Sequence, residues 1–323
     1  MKIKPLASGK SIADNNVFIA PMAGYTDHAV RSLLIKLGAG LTFTELVSAK
    51  GLFYGAKGTK ELLYAGEDNY SDKAFAKEEL KKTAAQIFGA DPYYMRCACE
   101  SEDLKKFDIV DINMGCPVPK VYKNGEGSAL LNDIKRAGEI VKECVKSGKI
   151  ITVKIRTGIV RGDDVAAEFA KMAEDCGASL VTVHGRVREA YYSGEPDYEA
   201  IRRAKNSVGI PVIANGGIFT EKDADETIER TGADGVMLAR GAIADPFLVA
   251  NLTGTPYDIT LKGFVLAQLS EMLNRYGDKR ATAEFRKFVP YYIKGGENAK
   301  AERVALMKCE SVKETASLIE RFL

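Results

Sequence analysis

The sequence predicts an α/β chain, a (β/α)8 TIM barrel over residues 1–254 followed by a small helical domain over residues 255–323. Three observations carry this expectation. Eight short runs rich in β-branched residues alternate with amphipathic helical patterns through roughly the first 250 residues. Those runs end in polar residues in a coherent way, and the alternation stops near Thr255, after which only helical patterns follow. A chain of 323 residues has room for one large core and one small one.

The predicted strands fall at 16–21, 41–47, 84–89, 109–114, 150–156, 180–185, 211–216 and 235–240. Between them, 27–37, 133–146, 163–176 and 221–230 read as helices, several opened by an aspartate suited to capping. The stretch between Gly51 and Thr83 is longer than a plain strand-helix unit and predicts an extra hairpin or helix. In the tail, 265–274, 281–292, 299–308 and 311–322 read as amphipathic helices.

In such a barrel the active site lies at the C-terminal ends of the strands. Side chains alternate along a strand, so 150–156 sets Thr152, Lys154 and Arg156 on one face against Val153 and Ile155. Likewise 180–185 aligns Thr182 with His184, and Arg186 lies just beyond. The run 109–114 aligns Asp111 with Asn113 and breaks into Gly115-Cys116-Pro117, which leaves one thiol at the strand mouth. A lysine and a histidine inside a barrel are costly unless they meet a ligand or partner charges, and a phosphorylated cofactor would be such a ligand. Gly216, Gly217 and Gly241 allow close backbone approach, and Arg240 adds charge where these barrels commonly seat a phosphate. The same glycines also fit ordinary strand-to-helix turns, and Cys116 also fits a small buried core thiol.

Composition narrows the class. Lys and Arg number 46 against 44 Asp and Glu, and 46% of residues are hydrophobic. Residues 1–16 lack the apolar core of a signal peptide, no stretch is long and apolar enough to span a bilayer, and six scattered cysteines are expected to be reduced. A cytoplasmic protein follows. With only His28 and His184, no HExxH pattern, and Cys97 and Cys99 spaced too closely for a zinc knuckle, no metal site is expected.

Several motifs occur in a characteristic order: APMAGYTD at 20–27, TELVSAKG at 44–51, QIFG at 86–89, DINMGCP at 111–117 and GEGSALL at 125–131. VKIRTG at 153–158, VHGRVR at 183–188, ANGG at 214–217 and LARG at 238–241 complete the series, with a weaker echo at 291–295. Together they resemble the tRNA-dihydrouridine synthases, flavoenzymes that reduce uridine in RNA. The resemblance implies FMN as cofactor, NADPH as reductant and tRNA as substrate. Pro21, Met22 and Ala23 would line the isoalloxazine, Gln86 would bond its polar edge and Lys154 would sit near its N1 and O2. His184 would contact cofactor or uracil, while Asn215, Gly216, Gly217, Ala239 and Arg240 would hold the phosphate. Ala239, Gly217 and Val187 depart from the family's usual glycine, aspartate and threonine and put those individual contacts in doubt.

The implied chemistry delivers hydride to uracil C6 and a proton to C5, and Cys116 is the expected acid because an ordinary thiol is protonated at neutral pH. Asn113 would orient the uracil carbonyl or the flavin, or alternatively cap the turn. Arg186, with Arg188, would hold the flipped nucleotide, or alternatively pair with Glu189 or Glu195. The tail carries 12 Lys and Arg against 9 Asp and Glu, a net of +3, while the rest of the chain is at −1. Its densest part sets Arg275, Lys279, Arg280, Arg286, Lys287 and Lys294 among aromatic residues, an expected RNA-binding face or alternatively a solvated one. Two other classes remain open: a small-molecule pyrimidine flavoenzyme of the dihydroorotate or dihydropyrimidine dehydrogenase type, and a flavin-free barrel such as a Schiff-base aldolase using Lys154. Ribosomal RNA is an alternative substrate to tRNA, because the same chemistry needs only an accessible uridine.

Overall fold

The structure is a computed structural model that describes residues 12–66 and 78–323. Nine parallel strands carry the barrel: β1 (Val17–Ile19), β2 (Thr42–Phe43), β3 (Val47–Ser48), β4 (Thr83–Phe88), β5 (Ile109–Met114), β6 (Ile150–Arg156), β7 (Leu180–His184), β8 (Val212–Asn215) and β9 (Gly235–Leu238). They pair in the order β1-β9-β8-β7-β6-β5-β4-β2, with β3 also on β4. A parallel bridge from Phe18 to Leu41, with the Ile19 N–H on the Leu41 carbonyl at 2.9 Å, joins the first strand to the second and closes the ring.

Layers fill the interior from the bottom up. Phe18, Phe43, Ala84, Ile109, Leu180, Ile213 and Met237 form one apolar cluster on the inward faces. One step nearer the C-terminal ends, the same inward phase brings in Asp111 and Thr152, whose residues are paired in register, and then Asn113 and Lys154. The alternate residues, Val110, Ile112, Val153 and Ile155, pack outward against the helices.

Four local departures from the expected elements have physical causes. The strand expected at 41–47 is two short strands, because the Gln86 N–H of β4 donates at 2.9 Å to the Thr44 hydroxyl rather than to a backbone carbonyl. The helix expected from 163 begins at Ala166, since the Asp163 carboxylate instead accepts the Ile159 and Val160 N–H groups, both at 2.9 Å. The helix expected at 281–292 is broken into Asp278–Phe285, a tight turn at Arg286–Phe288 and Val289–Tyr292, because Pro290 supplies no N–H. The last expected strand stops at Leu238, and Arg240–Ala244 is a short helix. In the long 51–83 stretch the described part is helical, at Ala49–Phe53 and Lys57–Glu61; residues 67–77, and most of the N-terminal stretch read for a signal peptide, lie outside the described residues. The Asp27 and Asp133 caps are as expected.

The tail helices do not stand apart from the barrel. Phe264, Val265, Leu269, Phe285, Phe288 and Leu306 share one apolar core with Val17 and Ile19 of β1, Val30, Leu33 and Leu34 of the helix His28–Lys36, and Val236 and Leu238 of β9. The Tyr276 hydroxyl adds a hydrogen bond to Asp27 at 3.0 Å.

Candidate active site

A cavity of about 550 Å³ opens at the C-terminal ends of the strands. It is lined by Pro21, Met22, Ala23, Gln86, Asn113, Cys116, Lys154, His184, Arg186, Asn215, Gly216, Gly217, Ala239 and Arg240. These include every residue expected to meet the cofactor, together with Asn113, Cys116 and Arg186; Arg188, expected beside Arg186, is not among the lining residues. Arg286 and Lys287 are not among the lining residues.

One network fixes the floor. The buried Asp111 carboxylate accepts the Thr152 hydroxyl at 2.6 Å and the Gln86 amide at 2.7 Å, and the Asn113 amide donates to Gln86 Oε1 at 2.9 Å. Asn113 Oδ1 in turn accepts the N–H groups of Gly115 (3.1 Å) and Cys116 (2.9 Å), so Asn113 caps the turn that presents the thiol. The Cys116 carbonyl accepts the Ser128 hydroxyl at 2.8 Å. Gly127, at φ +62°, packs so tightly that an added Cβ would lie 2.9 Å from Cys116 Cβ. The Gly115 carbonyl accepts Arg156 Nε at 2.9 Å. Burial pushes the Cys116 thiol up, outweighing the lowering influence of the Val118 N–H and the Arg156 charge. The thiol is therefore protonated at neutral pH.

The opposite wall is cationic. Lys154 Nζ donates to Asn215 Oδ1 at 2.9 Å, and the Asn215 amide donates to the Met237 carbonyl at 2.7 Å. Burial, and then the neighbouring Arg156 charge, bring Lys154 down to about 8 against a counter-pull from Asp111. Burial likewise raises Asp111 to about 6 against the hydrogen bonds of Gln86 and Thr152. His184 is held well below the ordinary imidazole value by burial and then by Lys154, Arg156, Arg186 and Arg240, so it is neutral. Arg186 is buried: its Nε and one terminal nitrogen donate to the Gly194 carbonyl at 3.1 and 2.6 Å, and the other lies 3.2 Å from His184 Nε2. Arg188 lies over the Tyr122 ring at 3.7 Å, and Glu189 is taken by the Arg161 N–H.

At the β8 and β9 ends the backbone is bare by necessity. A Cβ on Gly216 (φ +115°) would stand 2.9 Å from the His184 ring, and one on Gly241 would stand 2.2 Å from the Ile218 carbonyl. Arg240 reaches the Tyr192 carbonyl at 3.5 Å and lies 5.2 Å from the Tyr192 ring. This end suits an anion. The other end offers the donors of Gln86 and Lys154 beside the apolar walls of Pro21, Met22 and Leu46, which suits a flat ring edged with carbonyl and imide groups. The residues present fit a flavin mononucleotide.

Residues 18–323 match the family described as Dihydrouridine synthase (Dus). The chain belongs to the dihydrouridine synthase family. It is 34% identical over 296 residues to tRNA-dihydrouridine synthase B of Vibrio parahaemolyticus, covering 88% of each chain. It is 33% identical to tRNA-dihydrouridine synthase B of Pasteurella multocida, covering 95% of this chain and 92% of that one. Among solved structures, the fold is similar to morphinone reductase (TM-score 0.53, 12% identity, covering 78% of this chain and 90% of that one). Histamine dehydrogenase from Rhizobium is similar over 80% of this chain and 49% of its own length (TM-score 0.56, 14% identity). These two likenesses concern the fold alone.

Within this dihydrouridine synthase site, several contributors carry no sequence signal of their own. Tyr192 and Phe219 come from loops whose path periodicity does not define, and the hydrogen-bond acceptors of Arg156 are all backbone carbonyls: Gly115, Val187 and Tyr191. The basic tail residues have definite intrachain neighbours. Arg286 donates to the Cys309 carbonyl at 2.9 Å and Lys287 pairs with Glu284 at 2.6 Å while reaching toward Gly24. Arg280 pairs with Glu61 at 3.5 Å, and Lys294 donates to the Ala244 carbonyl. No helix among the described residues is long and apolar enough to cross a membrane, and the described residues contain no group of three or more His, Cys, Asp or Glu able to hold a metal.

Proposed function

We propose that this chain reduces specific uridines of tRNA to 5,6-dihydrouridine, with FMN as cofactor and NADPH as reductant. Bound in the cavity, FMN supplies the hydride that reaches uracil C6. Gln86 and Lys154 would hold the polar edge of its ring, Pro21, Met22 and Ala23 its apolar face, and Gly216, Gly217, Ala239 and Arg240 its phosphate, all of them lining the cavity. Asn215 keeps Lys154 in place.

Cys116 donates the proton to C5. The turn capped by Asn113 and anchored by Ser128 and Arg156 points the chemistry at one atom, and the raised thiol value keeps the proton on sulfur until the uracil carbon becomes basic. Neutral His184 and the Arg186 guanidinium offer donors to the uracil carbonyls or to the nucleotide's phosphate, and Lys287 lies 5.9 Å from the ring of Tyr25, which lines the cavity. Arg286 serves the helical domain itself.

The single observation that carries the reading is that a protonated thiol, a buried ammonium and a Cβ-free anion seat line one cavity in a chain of this family. The test is to incubate yellow purified protein and NADPH with tRNA that lacks dihydrouridine and to map the product nucleosides. Dihydrouridine at defined tRNA positions is expected. Turnover of free uracil or orotate without any on tRNA would overturn the reading in favour of a small-molecule enzyme.

A further inference from the structure

Two aromatic residues occupy a place that neither packing nor helix propensity explains. Tyr93 and Tyr94 stand in the first turn of the helix Pro92–Glu100, which Asp91 caps immediately after β4. An exposed first turn favours small, straight-chain or acidic residues, and a tyrosine there contributes nothing to the core. Tyr93 is 61% exposed, and beside it stand Phe53 at 46% and Tyr54 at 65%, carried by the loop and helix that follow β3. The four rings touch. Phe53 lies 4.9 Å from Tyr94 and 5.9 Å from Tyr93, both edge to face, and the Tyr54 and Tyr94 hydroxyls are 3.0 Å apart. Mutual edge-to-face contact stiffens the group while leaving ring surface in water.

Position and charge identify what covers it. The cluster sits on the C-terminal side of β3 and β4, the same end of the barrel as the cavity mouth. Lys50 lies 5.6 Å over the Tyr94 ring and also faces Glu126, the residue before Gly127, which packs on Cys116. Lys50 thus stands between the rings and the segment that packs on the reacting thiol. A cation-edged, preassembled aromatic surface matches the needs of unpaired nucleotides, because every base has a face to stack and every phosphate attracts a lysine.

We infer that Phe53, Tyr54, Tyr93 and Tyr94 form a stacking platform for unpaired bases of the RNA substrate that flank the uridine drawn into the cavity. The inference rests on the tRNA reading above. Splaying a uridine out of its loop also unstacks its neighbours. The platform restacks them on protein and holds the strand at the mouth.

The test uses the full-length flavin-loaded protein and tRNA that wild type demonstrably reduces. The double variant Tyr93→Ala/Tyr94→Ala should bind tRNA about fivefold to 100-fold more weakly, the range expected for losing one base stack, with flavin content and NADPH oxidation unchanged. Its salt dependence should keep the wild-type slope, because stacking releases no counterions, whereas Lys50→Gln should flatten the slope. The chain has no tryptophan, so Tyr54→Trp supplies a single reporter whose emission tRNA should quench. Wild-type affinity in the double variant, or unquenched Trp at saturating tRNA, would overturn the platform while leaving uridine reduction intact. A changed oligomeric state with unchanged tRNA affinity would overturn it too, by making the patch a protein interface. If the wild-type protein itself fails on tRNA, the functional reading falls and the platform with it.

Discussion

Cys116 and Lys154 line one cavity and are shaped by burial in opposite senses, one holding its proton more tightly and the other less. For Cys116→Ala, stopped-flow measurement should find reduction of the flavin by NADPH nearly unchanged and uridine reduction slowed by about 10²–10⁴. The wild-type fall in RNA reduction at alkaline pH, displaced above the range of an ordinary thiol by the burial of Cys116, should be missing from the residual rate of the variant. Lys154 allows a sign-specific stability test. Its folded value, about 8, lies below its ordinary 10.5, so between those pH values the unfolded chain binds the extra proton. Stability then rises with pH through that window, and below it the penalty of the buried charge, roughly 3 kcal/mol, is fully present. Between pH 7.5 and about 10 the stability of flavin-free wild type should rise relative to that of Lys154→Met by about that amount. A difference independent of pH would mean that Lys154 titrates in the folded protein as it does in the unfolded chain. The inward phase of Lys154, His184 and Asn113 was legible because strand alternation allows only two faces. The engagement of Asn113 by the Cys116 turn was only one of two readings, since local capping and ligand contact use the same amide.

At the level of elements, the β8 and β9 ends are shaped by what cannot be added to them. Gly216→Ala would need both a left-handed backbone, which costs a β-carbon residue about 1 kcal/mol or more, and displacement of the His184 ring. Loss of flavin from the purified variant is expected, visible as absent yellow absorbance. Arg240→Ala should remain folded, with a wild-type far-ultraviolet spectrum, yet lose FMN on dilution; full occupancy would remove the phosphate assignment. The sequence made the order of units and their polar ends legible because both follow from short-range periodicity. It hid the split between β2 and β3, where the Thr44 hydroxyl replaces a backbone acceptor, and the late start of the helix at Ala166, where Asp163 caps a turn instead. Both depend on one side chain choosing between equivalent N–H groups, a choice made by tertiary packing.

For the whole molecule, the basic tail divides into two sets. Arg275 lies 3.9 Å over Tyr64 and Arg280 pairs with Glu61, so these two fasten the tail helices to the segment after β3. Lys279 is exposed and Lys287 points toward the mouth. Neutralising Lys279 and Lys287 should flatten the salt dependence of tRNA binding, while Arg275→Gln/Arg280→Gln should chiefly lower the melting temperature, by a few degrees for an exposed pair and a ring contact. Equal salt slopes in the two double variants would place RNA elsewhere. Charge asymmetry was visible in composition, but composition carries no information on which cations the fold itself would occupy.

The ring closure has a consequence in time. Val17 of β1 pairs with Val236 of β9, so the first strand to be synthesised has its sheet neighbour on that side at the far end of the barrel. At ribosomal speeds of about 5–20 residues per second, that strand waits roughly 10–40 s for its partner. Until then Val17, Phe18 and Ile19, all buried in the finished barrel, have an open edge in the nascent chain. The tail helices that complete the same apolar core arrive later still. Closure of the barrel therefore waits on β9, and among the described strands β1 is the one that waits longest for its neighbour.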